Sequence, residues 1–254
     1  MRDEVRGGIR GAKKLPGLMQ CSARYLEEPS EGASRAPAAE ITLPDGERVR
    51  ADAPGAADKV GRALGTRVTL WPLQPATDLD HYRRGRADHD DLEVELRAVF
   101  GREKSEPLPD LSKFPPEIFE FESPPGTYFD AAPLLVMTDA TLRKLQTLSP
   151  TSTVDVRRFR PNILLNVDAG TAASNGGFPE IAWAGRRLRV RDAVLALTLA
   201  CPRCVMISLP FAELPKDSAL LRTVVREAGQ LAGVYARVEK PGTVRVGDPV
   251  ELVG

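Results

Sequence analysis

Two cysteines three positions apart, in Cys201-Pro202-Arg203-Cys204, are the residues of this sequence best suited to holding a metal or an anion. A C-x-x-C pair is open to three readings. Half of a zinc site is one, but a closed tetrahedral site needs four ligands. The remaining candidates, Cys21, His81 and His89, are scattered through weakly patterned sequence. A thioredoxin-like dithiol is the second, and it wants its first cysteine at a helix N-terminus; this pair sits between two apolar strand patterns. Two cysteines packed in a core is the third. That suits Cys201, which continues the apolar run Ala193 to Ala200. It suits Cys204 less well, because Arg203 beside it favours a thiolate and can bind an anion. His81 and His89, set among Arg and Asp, read as exposed loop residues rather than ligands.

A second basic feature is Arg157-Arg158-Phe159-Arg160-Pro161-Asn162. Three arginines around one phenylalanine, just before a strand pattern, can hold a phosphate through fork-like hydrogen bonds. Taken alone, however, they read better as a solvated strand edge. The terminal run Gly233-Val234-Tyr235-Ala236, followed by Pro241-Gly242 and Gly247-Asp248, reads by itself as strands joined by turn dipeptides. Gly7-Gly8-Ile9-Arg10-Gly11 follows no strand and opens no helix, so it is no nucleotide fingerprint. No serine–histidine–acid constellation can be assembled.

The elements that must position these residues are short. The chain has 254 residues, with 21 glycines and 22 prolines spread throughout, which favours short strands and turns over long helices. Ile41 to Arg50 reads as a hairpin turning at Asp45-Gly46, Asp58 to Leu64 as a short helix ended by Gly65, and Arg67 to Trp71 as a half-buried strand. From Gln74 to Gly126 charge and then proline dominate, apart from a helical pattern in Leu92 to Phe100. This stretch reads as an irregular connector holding the domain boundary. Beyond it, strands are expected at 134–138, 163–167, 187–190, 193–200, 205–209, 234–238, 243–246 and 249–253. Helices are expected at 139–148 and 217–230. Such a pattern predicts an α+β, mainly β, barrel-like domain.

Lys+Arg and Asp+Glu both total 35, so no global field draws the chain to nucleic acid or an anionic membrane, although one local basic pocket is compatible with this balance. Three cysteines make no disulfide framework, and a reducing compartment fits better. Met1-Arg2-Asp3-Glu4 is not the start of a signal peptide, and the apolar run at Ala193 is too short to span a bilayer. A soluble, cytoplasmic protein is expected.

In order and spacing these signals resemble the MOSC family, the molybdenum cofactor sulfurase C-terminal domain. The matching stretches are YFDAAPLLVMT (128–138), RFRPNILL (158–165), ACPRC (200–204), LPKDSALLR (214–222) and GVYARVEKPGTVRVGDPVEL (233–252). IRGAKKLPGL (9–18) and ITLPDG (41–46) look like the later part of the β-barrel domain that precedes MOSC in many members. The resemblance therefore implies an incomplete N-terminal barrel and connector over 1–107, and a MOSC domain over 108–254.

It also implies a Mo-pyranopterin cofactor, the molybdenum cofactor, with the metal bound by Cys204 as catalytic residue. Asp130, Arg158, Arg160, Asn162, Arg203 and Tyr235 would bind the cofactor. A soft thiolate suits a sulfur-bound metal, and arginine suits a phosphate. The implied activity is that of an oxidoreductase, similar to bacterial relatives of the mitochondrial amidoxime-reducing type. It would reduce small N-hydroxylated or related N-/S-oxygenated molecules, with electrons from a separate redox protein. The alternative is a non-catalytic sulfur carrier or cofactor-delivery module using a Cys204 persulfide. The family also carries an association with pyridoxal phosphate.

Two departures stand out. The relatives' acidic DP-x-T-G segment is replaced here by Ser208-Leu209-Pro210-Phe211, which implies a different substrate pocket. The family's opening Tyr-Pro-Val-Lys-Ser-like and Gly-Asp-Arg motifs are not found, which implies an N-terminally shortened form with weaker cofactor binding.

Overall fold

A computed structural model describes residues 1–30 and 36–254. By their contacts these divide into two compact units. The first holds Met1–Val99, Phe114–Ala131 and Leu209–Lys216; the second holds Phe100–Lys113, Ala132–Ser208 and Asp217–Gly254.

In the first unit, β1 (Arg2–Asp3) pairs with β5 (Val68–Thr69), while β2 (Ser22–Tyr25), β3 (Ala39–Thr42) and β4 (Arg48–Arg50) form an antiparallel sheet. The β3–β4 hairpin turns at Asp45-Gly46 as expected, with Gly46 at φ +87°, a backbone region that glycine enters without a Cβ penalty. Helix α1 (Ala56–Leu64) lays Ala56 and Val60 against Leu43, Val49 and Val68, which form the core of this unit. The connector is less irregular than its composition predicts. It carries α2 (Leu79–Tyr82), α3 (Leu92–Phe100) and α4 (Glu117–Glu120), and its residues are shared between the two units.

The second unit is built on a six-stranded sheet. Its elements are β6 (Leu134–Thr138), α5 (Asp139–Leu148), α6 (Val156–Phe159), β7 (Ile163–Leu165), α7 (Ala169–Ala173), β8 (Arg187–Val190), β9 (Ala193–Pro202), α8 (Ser218–Glu227), β10 (Leu231–Lys240) and β11 (Val250–Val253). The strand order is β11-β8-β9-β10-β6-β7, antiparallel except for β6–β7. That parallel pair needs a crossover, and the chain between its strands supplies α5 and α6.

Both faces of this sheet are covered, which explains the unbroken apolar runs. Leu135 and Met137 pack on one side with Leu145, Phe159, Cys201, Leu220 and Val224. Val136 faces the other side with Leu188, Leu195, Leu197 and Val234. Helix α8 is capped by the Asp217 carboxylate, which accepts from Leu220 N at 3.0 Å. Its Leu220, Leu221, Val224 and Val225 are buried on one stripe, each worth about 2 kcal/mol in removed apolar surface.

Two predicted strands are absent. Val205–Ser208 is a 3-10 turn rather than a strand over 205–209, because the chain must bend away at the end of β9. Residues 243–246 form no strand and run as an exposed loop into the turn closed by Arg245 N to the Asp248 carboxylate. The architecture is α+β, as expected, with its sheets carrying the cores. Among the described residues, no helix is long and apolar enough to cross a membrane.

Candidate functional site

Strand β9 carries Cys201 into the core and releases the chain just before Cys204. Cys201 is 3% exposed, and burial pushes its thiol pKa up. Its sulfur accepts from Arg203 Nη1 at 3.3 Å and shares a hydrogen bond with the Tyr235 side chain. Cys204 is half-buried, is not in a disulfide, and makes no side-chain hydrogen bond among the described residues. The two cysteines therefore differ in environment, one fixed in the core and one at the rim.

The arginine segment is brought directly alongside. Helix α6 is a single turn, capped by the Asp155 carboxylate accepting from Arg157 N, and it packs against the turn that follows Cys204. Phe159 O accepts from Arg203 Nη2 at 2.8 Å, and the Arg203 guanidinium lies 5.4 Å from the Phe159 ring centroid. Arg158 is 1% exposed and donates to Ile207 O at 3.3 Å. Arg160 then leaves the helix at φ +56°, a left-handed conformation uncommon outside glycine, with an exposed side chain. Its guanidinium has no hydrogen-bond or ion-pair partner among the described residues.

Asn162 anchors the next step. Its N donates to Leu135 O and its Oδ1 accepts from Leu135 N, both at 2.9 Å, which locks the segment to the edge of β6. Leu135 stands opposite Tyr235 in the β6–β10 register. Cys204, Arg158, Arg160, Asn162, Arg203 and Tyr235 all lie within the second unit; hydrogen bonds tie Arg158, Asn162, Arg203 and Tyr235 into it, whereas the Cys204 and Arg160 side chains make none among the described residues. Asp130 lies in the first unit, 59% exposed at its side chain, 2.5 Å from Lys13 Nζ.

Sequence reasoning missed Arg102. This residue is 6% exposed, donates from Nη2 to Arg203 O at 2.9 Å, and lies within electrostatic reach of Cys204. Burial, with repulsion from Arg222, brings its pKa down to about 10, so the guanidinium stays charged at neutral pH. No motif marks a residue 101 positions away from the one it serves.

His81 is a correction. It is 4% exposed rather than a loop residue at the surface. Its Nε2 meets the Tyr128 hydroxyl at 2.7 Å, and its ring lies 5.5 Å from Trp71 and 5.0 Å from Tyr82 between centroids. Aromatic packing recruited it. His89 is exposed.

Chemically, the arrangement in the second unit can hold a soft metal through one thiol, because Cys204 alone of the pair is at the rim and uncommitted. It can also receive an anion, because Arg160 is exposed and the buried Arg203 Nε has no acceptor among the described residues. Among the described residues there is no cluster of three or more His, Cys, Asp or Glu that could hold a metal by itself.

The MOSC domain family profile matches residues 124–251, half of the chain. Mitochondrial amidoxime-reducing component 1 of Mus musculus is 30% identical over 145 residues, covering 50% of this chain and 38% of that protein. Mitochondrial amidoxime reducing component 2 of Homo sapiens is 34% identical over 137 residues, covering 48% and 38%. The chain thus spans well under half the length of these curated relatives. Among solved structures, the YuaD protein from Bacillus subtilis aligns over 50% of this chain and 67% of its own, at 18% identity and a TM-score of 0.38. Motif and profile converge on the same residues, and the chain belongs to the MOSC domain family, a family associated with the molybdenum cofactor.

Proposed function

We propose that this protein binds a molybdenum cofactor through Cys204 and reduces small N-hydroxylated or related N-/S-oxygenated molecules, taking electrons from a separate redox protein. The observation that carries this reading is the division of labour at the C-x-x-C motif. Cys201 is buried and hydrogen-bonded into the core, whereas Cys204 stands half-buried beside two buried guanidiniums, with no side-chain hydrogen bond among the described residues. A single rim thiol in a cationic surrounding is what a sulfur-bound metal with an anionic organic ligand requires.

When bound, the cofactor would supply two-electron redox chemistry. The protein's own contribution is positional and electrostatic. Cys204 would provide the ligating sulfur. Arg160, held outward by its left-handed backbone, would pair with a cofactor anion in the fork geometry that suits phosphate. Arg203 supports the site from behind, its guanidinium tied to Cys201 and Phe159, and Arg158 does the same through Ile207 O. Asn162 holds the arginine segment against β6, and Tyr235 keeps Cys201 in the core. Asp130 is proposed as a cofactor-binding residue on the family resemblance alone. The domain division we favour is an incomplete N-terminal barrel-type region with its connector over 1–107 and the MOSC domain over 108–254, with the connector's last residues, 100–107, packing within the second unit.

Metal and pterin analysis of the purified full chain tests the proposal. Stoichiometric molybdenum with pterin supports it. A protein free of molybdenum that instead carries sulfane sulfur on Cys204 would replace it with the sulfur-carrier reading.

A further inference from the structure

Residues 100–113 precede the matched family region, yet by their contacts they belong to the second unit. Gly101 shows how closely they pack there. It sits at φ +61°, and a Cβ on it would lie 2.7 Å from Leu221 Cδ2 and 3.2 Å from Val205 Cβ. A larger residue here would strain the left-handed backbone and push against Leu221 and Val205, beside the turn that follows Cys204.

Arg102 follows at once, and every nitrogen of its guanidinium is used. Nε donates to Gln230 Oε1 at 3.0 Å, Nη1 to Phe100 O, and Nη2 to Arg203 O at 2.9 Å. Arg203 N in turn donates to Gln230 O at 2.9 Å. Gln230 completes the ring from a left-handed backbone, φ +73°, at the entry to β10. The peptide joining Arg203 to Cys204 is therefore gripped by Arg102 on its carbonyl side, while the preceding amide is held by Gln230.

The chemistry of this grip is unusual for a buried cation. All three acceptors are neutral, and the neighbouring carboxylate of Glu106 is engaged by Arg222. Burying a guanidinium without a directly paired carboxylate is costly. A fold that accepts the cost gains a rigid three-pronged contact that no neutral side chain can reproduce.

We propose that Arg102 is a positioning residue for Cys204, its guanidinium clamping the Arg203 carbonyl to Gln230 so that the rim thiol is offered in one place. The inference deepens the molybdenum reading and rests on it for its purpose, but the clamp itself can be tested without cofactor.

The experiment compares full-length wild type with Arg102→Lys and Arg102→Gln, reading amide hydrogen exchange by peptide and molybdenum content on the same preparations. Lysine keeps the charge but not the fork. In both variants the peptide spanning 200–206 should exchange about tenfold faster, while α5 keeps its protection. Molybdenum content should fall several-fold. Unchanged exchange at 200–206, or full rescue by lysine, would overturn the clamp. Faster exchange across every peptide, α5 included, would also overturn it, by making Arg102 a residue of general stability. A wild type without molybdenum whose variants still loosen only at 200–206 would uphold the clamp and sink the molybdenum reading instead.

Discussion

Arg203 donates through Nη1 to the sulfur of Cys201, 3.3 Å away, and through Nη2 to the carbonyl of Phe159 at 2.8 Å. The arginine between the two cysteines therefore serves the buried one. Its consequence is an asymmetric motif, in which one sulfur belongs to the fold and the other is left at the rim.

Arg160 is strained and exposed, two properties that a structural arginine seldom combines. Arg160→Gly should relieve the left-handed backbone and stabilise the cofactor-free protein by roughly 0.5–1 kcal/mol. The same change should lower cofactor occupancy, as should Arg160→Ala, which removes the side chain without relieving the backbone. Thermal melting of the apo-protein and molybdenum content, measured side by side, check both halves. A loss of apo stability in the glycine variant with normal occupancy would show that the arginine serves the fold.

Glu180 is fully buried, accepting from the Thr138 and Thr141 hydroxyls at 2.7 Å each, and burial raises its pKa. The folded state thus holds its proton more tightly than the unfolded chain. Its contribution to stability is fully present below the unfolded pKa, about 4.3, and is lost as pH rises through the folded value. Glu180→Gln keeps an acceptor and removes the charge. The melting temperature of this variant relative to wild type should climb as pH rises from the unfolded carboxylate pKa toward the raised folded one. A constant difference between pH 4 and 8 would contradict the assignment.

His81 has the opposite sign. Burial, and then the nearby Arg2 charge, lower its pKa, so its contribution is present above the unfolded value of about 6.5 and is lost as pH falls through the folded one. His81→Phe keeps the stack with Trp71 and Tyr82 but loses the Tyr128 hydrogen bond. At pH 8 that loss should cost about 1 kcal/mol, or roughly 2–4 °C in a protein of this size. At pH 5.5 the gap should narrow, because only wild type still has an imidazole to protonate. Melting curves at the two pH values decide it, and a gap that widens on acidification would be the wrong sign.

Much of the second unit was legible because periodicity and caps agreed. Leu134–Thr138 and Asp139–Leu148 occupy the bounds expected from an apolar run followed by helical spacing. The Val205 segment departs from its strand-like appearance because a short apolar run has no period of its own, and the bend after β9 decides its conformation. Thr243 to Val246 has strand-like residues but pairs with no strand among the described residues, and Val246 is fully exposed. His81 looked solvated because its sequence neighbours are charged, whereas its spatial neighbours are Trp71, Tyr82 and Tyr128. Within the candidate site, the motif residues could be found from local spacing. Arg102 could not, since only the folded chain carries it back to Arg203.

The most direct measurement is the molybdenum and pterin content of full-length wild type, Cys204→Ser and Cys201→Ser prepared in parallel. Cys204→Ser should lose bound molybdenum almost entirely while melting within a few degrees of wild type. Cys201→Ser should keep much of its molybdenum and lose about 1 kcal/mol of stability, because it disturbs the buried contacts with Arg203 and Tyr235. Equal loss of metal from both variants would point to a dithiol or zinc site, and full retention in Cys204→Ser would contradict ligation by Cys204 outright.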